Sequence, residues 1–299
     1  VDYHDPVMLD RCVEALNLKS GGIYIDVTFG GGGHSMAILK ELGEGRLIAF
    51  DQDKDAIANA PIDKRFTLIH DNFRNLKFRL QEIGINAIDG LLADLGVSSH
   101  QFDEASRGFS IRFNASLDMR MDQRAKLTAK DILNGYPEHE LVKVFREYGE
   151  LNNARNVAAL IVKARRDKFI ETIDELKQIV GKAIPKAKET TFLAQLFQAL
   201  RIEVNDEMGA LKDLLYQATE MLKPGGRLVV MSYHSLEDRP VKNLINTGNI
   251  NGELEKDLFG NSVGLLLKPL NKKPIEASEE EVKRNPRSRS AKLRIAEKL

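Results

Sequence analysis

The chain has 299 residues, 42% of them hydrophobic and 29% charged, with equal numbers of Lys/Arg and Asp/Glu. Such a length and composition leave room for the core of one large domain or two ordinary ones, and they exclude a disordered chain or a generic polycation. No stretch approaches the roughly 18 to 20 apolar residues that span a bilayer, and the opening VDYHDPVMLDRC lacks a basic-then-apolar signal pattern, so a cytoplasmic protein with no membrane partner is expected.

From residue 23, short β-rich runs alternate with amphipathic stretches: IYIDVTF then 34–43, RLIAFD then 54–60, FTLIHDN then 74–84, and IDGLLADLG. Three strand–helix steps into a fourth strand predict a parallel sheet covered on both faces, half of a doubly wound α/β fold. Residues 105–192 break that rhythm. AKDILNGYPEHELVKVFREYG, NNARNVAALIVKARRD and TIDELKQIVGKAI carry apolar residues at helical spacing, with Thr128 and Thr172 as N-caps of the first and third. They predict an inserted all-helical domain over 105–192, with 1–104 and 193–299 forming one discontinuous α/β domain.

After residue 193 a long helix is expected, bent near Val204 and Asn205 and closed by Lys223, Pro224 and a glycine pair. The strand RLVVMSYH follows, then a helix over 237–247. SVGLLLKPL and SAKLRIAEKL supply two final strands, read as an antiparallel pair. Between them NKKPIEASEEEVKRNPRSR reads as an exposed segment that orders on a partner. Cys12, the single cysteine, reads as a small buried apolar residue, without a disulfide or a thiolate metal cage.

Charge is segregated along the chain. Residues 1–104 carry 10 Lys/Arg against 17 Asp/Glu, residues 105–200 carry 17 against 12, and the last 17 residues hold seven cations against Glu297 alone. Such clusters suit either phosphate or a solvated face.

The densest signal is YIDVTFGGGGHS. Asp26 closes the first strand, and Gly30 to Gly33 lead to a helix near His34, so a ligand can lie against bare backbone at a helix N-terminus. The dinucleotide pattern GxGxxG requires a third small residue for packing, whereas Met36 stands there counted from Gly31 and Ser35 counted from Gly30. Asp51 ends the next strand 18 residues beyond Gly33, where a carboxylate accepts hydrogen bonds from ribose hydroxyls of any adenosine cofactor without a 2′-phosphate. Asp26, the crowded glycines and DLGVSS after the fourth strand together favour S-adenosylmethionine over NAD.

With these residues assembled, the chain resembles the bacterial 16S ribosomal RNA cytosine-N4 methyltransferases, which use S-adenosylmethionine to methylate the exocyclic amine of a decoding-region cytosine. The resemblance rests on YIDVTFGGGGHS, DLGVSSHQFDEASRGFS, LDMRMD, FQALRIEVNDE, SYHSLEDR and NPRSRSAKLRIAEK, in family order from residue 24 to the C-terminus. It implies a Rossmann-like class I methyltransferase sheet with a helical substrate-recognition insertion. It further implies that Gly32, Gly33 and His34 contact the cofactor, that Asp51 holds its ribose, that Phe73 and Asp94 lie near its adenine and methionine ends, and that Gln101 completes the pocket. The chain departs from the family at KETTFLAQL, where His-Pro-Ala-Thr-Arg-Thr is usual, and at Pro240, where an aliphatic residue is usual.

Transfer from a sulfonium needs in-line approach more than acid–base help, since the leaving group is neutral. The acceptor is the difficulty: cytosine N4 shares its lone pair with the ring, so the site needs an acceptor for the amine hydrogens that later takes a proton. Asp94, at the end of the fourth strand, is the first candidate. Tyr233 and His234 are candidates to stack the base, and His234 joins Asp94 as a catalytic candidate. Ser235 and Asp238 resemble a capping box. Arg120 either reaches phosphate or caps a helical core, and Arg201 and Asn205 are the likeliest residues of FQALRIEVNDE to leave the core.

His4, His70, His100 and His139 show no metal-ligand spacing, so no metal is expected. The target base must leave its helix, which makes single-stranded or distorted RNA the substrate. The basic insertion and the tail, including Arg284, Arg287, Arg289 and Lys292, would then hold phosphates of 16S ribosomal RNA within the small subunit. A homodimer is compatible with the sequence. Two other readings compete: an NAD-dependent oxidoreductase, weakened by Met36 and by the lack of a hydride-transfer site, and a non-catalytic RNA-binding ribosome-assembly factor, weakened by the intact loop, Asp51 and Asp94.

Overall fold

Seven strands form one mixed sheet: β1 (Ile23–Asp26), β2 (Arg46–Asp51), β3 (Phe66–His70), β4 (Ile88–Asp94), β5 (Leu222–Ser232), β6 (Leu267–Pro269) and β7 (Lys292–Lys298). Their order is β3-β2-β1-β4-β5-β7-β6, parallel through the first five, with β7 antiparallel to both β5 and β6. The computed structural model describes residues 6–184 and 186–299; His4 lies outside them. The chain winds outward from β1 to β3 and then returns past β1 to β4. Strand order therefore reverses between β1 and β4, the place where open α/β sheets bind ligands at their carboxyl ends.

Alternation along the strands feeds two apolar layers, as a period of two requires. Ile25, Ile48, Phe50, Leu91, Ala93, Leu228 and Val230 pack on one face with residues of helices Leu76–Glu82, Glu207–Met221 and Ser235–Thr247. Tyr24, Leu47, Leu92, Val229, Met231 and Leu293 pack on the other with helices Leu9–Leu16 and Gly33–Glu41, and Cys12 is buried there. This is the Rossmann-like sheet with a helical insertion expected from the sequence.

Backbone proximity divides the chain into two compact units, Val1–Gly96 with Met208–Leu299, and Val97–Glu207. The second unit has its own core, in which Leu133, Phe145 and Ile161 meet Phe192, Leu193, Leu196 and Leu200. Those last four lie on helix Glu189–Val204, so this unit extends beyond the 105–192 read from sequence. Thr128 and Thr172 each form a full capping box, with Asp131 and Glu175. The first predicted helical stretch divides at Tyr136–Pro137 into Ala129–Gly135 and Glu138–Glu147, as a proline restricts the residue before it.

Several expectations are corrected. The long helix is broken, not bent: Glu189–Val204 ends at Asn205, Asp206 takes a left-handed φ of 45°, and Glu207–Met221 begins anew. Asn205 accepts the Met121 N–H at 2.7 Å and donates to the carbonyls of Met119 and Arg201, each at 2.8 Å. Arg120 spends its guanidinium on both oxygens of Asp118, at 2.8 Å each, and on the carbonyls of Gln123 and Ala125. Arg201 forms a two-point pair with Glu207. LDMRMD and FQALRIEVNDE thus hold each other in place through Asn205 within the helical unit.

The segment 271–289 is anchored on β7: Ile275 and Leu293 exchange backbone hydrogen bonds at 2.9 and 2.8 Å, and Asn271 Oδ1 accepts the Ile295 N–H at 2.8 Å. Only Leu267–Pro269 of SVGLLLKPL is strand. No side chain caps helix Ser235–Thr247 in the manner expected of Ser235 and Asp238; Asp238 instead receives Arg294 from β7 at 2.7 and 2.9 Å. That pair, with the Tyr233 N–H donating to Glu237 at 2.9 Å, secures the first turn, and the helix begins at Ser235, two residues before the expected 237, and runs through Pro240. Among the described residues no helix is long and apolar enough to cross a membrane.

Burial alone would raise the Asp238 carboxyl, but the two bonds from Arg294 outweigh it and hold it below the usual range. Removing one partner strands the other charge in a nearly dry site, so Asp238→Ala or Arg294→Ala is expected to lower the unfolding free energy by about 3–5 kcal/mol in urea titrations. Because the folded pKa is depressed, the pair's contribution is complete above the unfolded carboxylate value of about 3.9 and drains away as pH falls through the folded value. The same titrations at pH 7 and pH 3 should show the wild-type advantage shrink.

Candidate active site

Three carboxylates end three neighbouring parallel strands. Asp26, buried at the end of β1, accepts the Thr28 N–H at 3.1 Å on one oxygen and the Ser35 hydroxyl at 2.6 Å on the other. Burial raises its pKa, opposed by His34 and by these bonds. Thr28 faces the next strand as well, its Oγ1 accepting the Asp94 N–H at 2.7 Å. Asp51, at the end of β2, accepts the N–H groups of Gly30 and Asp53 at 2.8 Å each. Burial still pushes its carboxyl up to about 6. A carboxylate offers about four lone-pair sites, so each Asp51 oxygen keeps one for a hydroxyl donor.

The glycines act in two ways. Gly30 and Gly32 take left-handed φ values of 52° and 81°, where a side chain is strained. At Gly32 an added Cβ would meet the Phe29 ring at 2.9 Å, and at Gly33 it would meet Pro6 at 2.1 Å. The bare backbone there makes room for the protein's own rings. Helix Gly33–Glu41 starts directly after, presenting its positive end at this edge.

His34, the second residue of that helix, is buried; its Nε2 lies 3.1 Å from the Val7 carbonyl and its Nδ1 4.0 Å from Asp94 Oδ2. Asp94 Oδ1 accepts the Tyr233 hydroxyl at 2.7 Å. Burial pushes the Asp94 carboxyl up to about 6, with His34 and Tyr233 drawing it down and Asp26 and Glu237 adding to the rise. The Tyr233 phenol is held well above its ordinary value by burial and then by Asp94. Tyr233 is therefore engaged as a donor to Asp94.

His234 precedes helix Ser235–Thr247. Neither of its buried ring nitrogens has a hydrogen-bond partner, although Nε2 stands 3.1 Å from Glu237 Oε1. A buried ring in that state is uncommon. Phe73 opens a 3-10 turn after β3 and packs on the sheet core. Asn72 Nδ2 donates to Gln52 Oε1 at 2.8 Å, and His70 Nε2 lies 3.1 Å from the Gln52 carbonyl. These contacts bring Phe73 to the same edge as Asp51, whose strand partner is His70. Gln101 lies in the helical unit, buried, and completes a capping box with Ser98.

The structure thus gathers Gly32, Gly33, His34, Asp51, Phe73, Asp94 and His234 around the carboxyl edge of one sheet, while Gln101 belongs to the other unit. Sequence reasoning missed Thr28, Ser35 and Val7. Thr28 had a local signal, two residues past an Asp at a strand end; the Val7 carbonyl had none. Chemically, the edge offers an acceptor for ribose hydroxyls, bare backbone at a helix N-terminus for an anionic group, and a carboxyl with an unusually high proton affinity. This set fits a nucleoside carrying an amino-acid arm and a cationic centre.

The profile of the MraW methylase family matches residues 2–299. A ribosomal RNA small subunit methyltransferase H of Phocaeicola vulgatus is 55% identical over 297 residues, covering 99% of this chain and 97% of its own. Its counterpart in Parabacteroides distasonis is 56% identical over 299 residues, covering 99% and 98%. Among solved structures, an rRNA methylase from Streptococcus thermophilus aligns over 97% of this chain and 93% of its own at 13% identity, with a TM-score of 0.40.

A carboxyl that titrates near 6 when folded, above its unfolded value of about 3.9, contributes stability that is complete below the lower value and lost as pH rises through the higher. Asp94→Asn keeps an acceptor for Tyr233 but removes the buried charge. Thermal melts should show this variant more stable than wild type at pH 8, with the gap narrowing as pH falls below about 6 and closing only below about 4.

Proposed function

The chain belongs to the MraW methylase family, and on that premise we propose that it transfers a methyl group from S-adenosylmethionine to the exocyclic N4 amine of a cytosine in the decoding region of 16S ribosomal RNA. The reading draws on relatives named as small-subunit ribosomal RNA methyltransferases and on one observation above the rest. Asp94 stands at the switch point between β1 and β4, shared by the Tyr233 hydroxyl and the His34 ring. The oxidoreductase alternative ends with the family.

Bound S-adenosylmethionine supplies an electrophilic methyl on a sulfonium whose leaving group is a neutral thioether, so no metal is called on. Gly32, Gly33 and His34 would line the cofactor, Asp51 would take its ribose hydroxyls, and Phe73 would border the adenine. The Asp94 carboxylate accepts a hydrogen of the cytosine amine, which draws the N4 lone pair out of ring conjugation, and then keeps the proton. A carboxyl near 6 is ionised at neutral pH yet more basic than an ordinary aspartate, and Tyr233 steadies the ionised form. His234, with two ring nitrogens unsatisfied inside the protein, meets the flipped base.

In this reading the helical unit Val97–Glu207 recognises the RNA, and the tail residues Arg284, Arg287, Arg289 and Lys292 hold phosphates in a salt-dependent way. Both act in the cytoplasm, where the small subunit is assembled.

The test is transfer of labelled methyl from S-adenosylmethionine to unmodified small subunits, naked 16S RNA and tRNA, followed by nucleoside analysis. N4-methylcytidine is expected on small-subunit RNA alone. Asp94→Ala should lower turnover roughly 10²- to 10⁴-fold. Asp51→Ala should weaken cofactor binding by calorimetry roughly tenfold to a hundredfold, the worth of a charge-assisted hydrogen bond. Tight cofactor binding with no transfer to any RNA would overturn the substrate assignment.

A further inference from the structure

The segment before the first helix carries a strained residue far from any turn-forming glycine. Met8 has φ 48° and ψ 40°, left-handed values uncommon outside glycine and asparagine, and its side chain is buried. Such a conformation persists only where the surroundings over-determine it. Here the Met8 N–H donates to Glu281 Oε1 at 2.6 Å, and the Met8 carbonyl accepts the Cys12 N–H at 2.9 Å. Glu281 lies on the short helix Glu279–Arg284, whose cap Ser278 accepts the Glu281 N–H at 3.1 Å. That helix follows the Ile275–Leu293 pairing on β7. A residue from the end of the chain thus holds the backbone near its start.

What that backbone carries is the Val7 carbonyl, 3.1 Å from His34 Nε2. A carbonyl oxygen can only accept, so Nε2 bears the hydrogen. In the neutral ring Nδ1 is then bare, and Nδ1 is the nitrogen 4.0 Å from Asp94 Oδ2. Nδ1 is consequently the ring position turned toward the Asp94 carboxyl.

We propose that Glu281 is a positioning residue for methyl transfer: by holding the Met8 amide it fixes the Val7 carbonyl, which selects the Nε2–H form of His34 and keeps Nδ1 turned toward the Asp94 carboxyl. The inference rests on the reading of Asp94 as proton acceptor. The groups around that carboxyl are His34 and Tyr233, which draw its pKa down, and Asp26 and Glu237, which raise it; the buried Cys12 thiol lies within reach of Asp94, Asp26 and Glu281. When His34 is released, one of the two downward influences is lost and the Asp94 carboxyl rises. The acid limb of methyl transfer then moves to higher pH.

The test uses the full chain labelled with ¹⁵N-histidine and long-range nitrogen–proton spectra, which report the tautomer whether or not the protein is active. Wild type should show His34 as the Nε2–H form. Glu281→Ala should show a mixture of tautomers and an acid limb displaced upward, with turnover at pH 7 reduced several-fold. Glu281→Gln keeps an oxygen for the Met8 N–H and should restore both, and Glu280→Gln, an exposed neighbour on the same helix, should change neither. An Nδ1–H form in the wild type, or a Glu281→Ala protein that keeps a single Nε2–H form, overturns the proposal. So does a Glu281→Gln protein that is folded by circular dichroism yet behaves like the alanine variant. A tautomer change in Glu281→Ala alongside a wild type that transfers no methyl would instead remove the role in the reaction and count against the function proposed above.

Discussion

Three like charges at the ends of three adjacent strands are the constraint around which this sheet edge is built. Asp26, Asp51 and Asp94 lie where burial penalises ionisation, and the charge of Asp26 adds to the rise at both of the others. The loop after β1 compensates residue by residue: Thr28 serves Asp26 with its amide and Asp94's amide with its hydroxyl, Ser35 serves Asp26, and Gly30 serves Asp51. The glycine run, the helix that follows it and the ends of three strands are therefore one hydrogen-bonded object. A cofactor site of this kind is preorganised, because the groups that meet the ligand are already held by groups that do not.

The same economy explains why some conspicuous motifs turn out to be architectural. Arg120, Arg201 and Asn205 are the polar residues of LDMRMD and FQALRIEVNDE, and each is committed to Asp118, Glu207 or the carbonyls of Met119 and Arg201. Polar groups inside a helical unit must be satisfied internally or lose the free energy of desolvation. A long, peculiar motif is therefore as much the signature of a satisfied polar joint as of a contact with substrate. Asp238 teaches the same lesson from the other unit: its spacing from Ser235 suits a cap, but Arg294 offers a buried carboxylate two bonds at once.

The glycines show where reading by composition was right in kind and incomplete in cause. Four in succession announced close approach of backbone to something. At Gly32 and Gly33 that something includes the rings of Phe29 and Pro6, one of them from a segment far earlier in the chain. His234 was legible only as a residue after a strand; that both its ring nitrogens are buried, with Nε2 3.1 Å from Glu237 Oε1, follows from packing that no local pattern encodes.

What the sequence determined by itself was periodic or local. Alternation of apolar residues along β1, β2, β4 and β5 set the two faces of the sheet, helical spacing separated the inserted unit, and Thr128 and Thr172 announced their caps, because each of these is decided within a few residues. The carboxylates at strand ends were legible for the same reason. Only the tertiary structure decided which donor met which acceptor: Tyr233 with Asp94, Arg294 with Asp238, Val7 with His34 and Glu281 with Met8. Those pairs join residues up to 273 positions apart, and a hydrogen bond depends on distance and angle, which sequence separation does not carry.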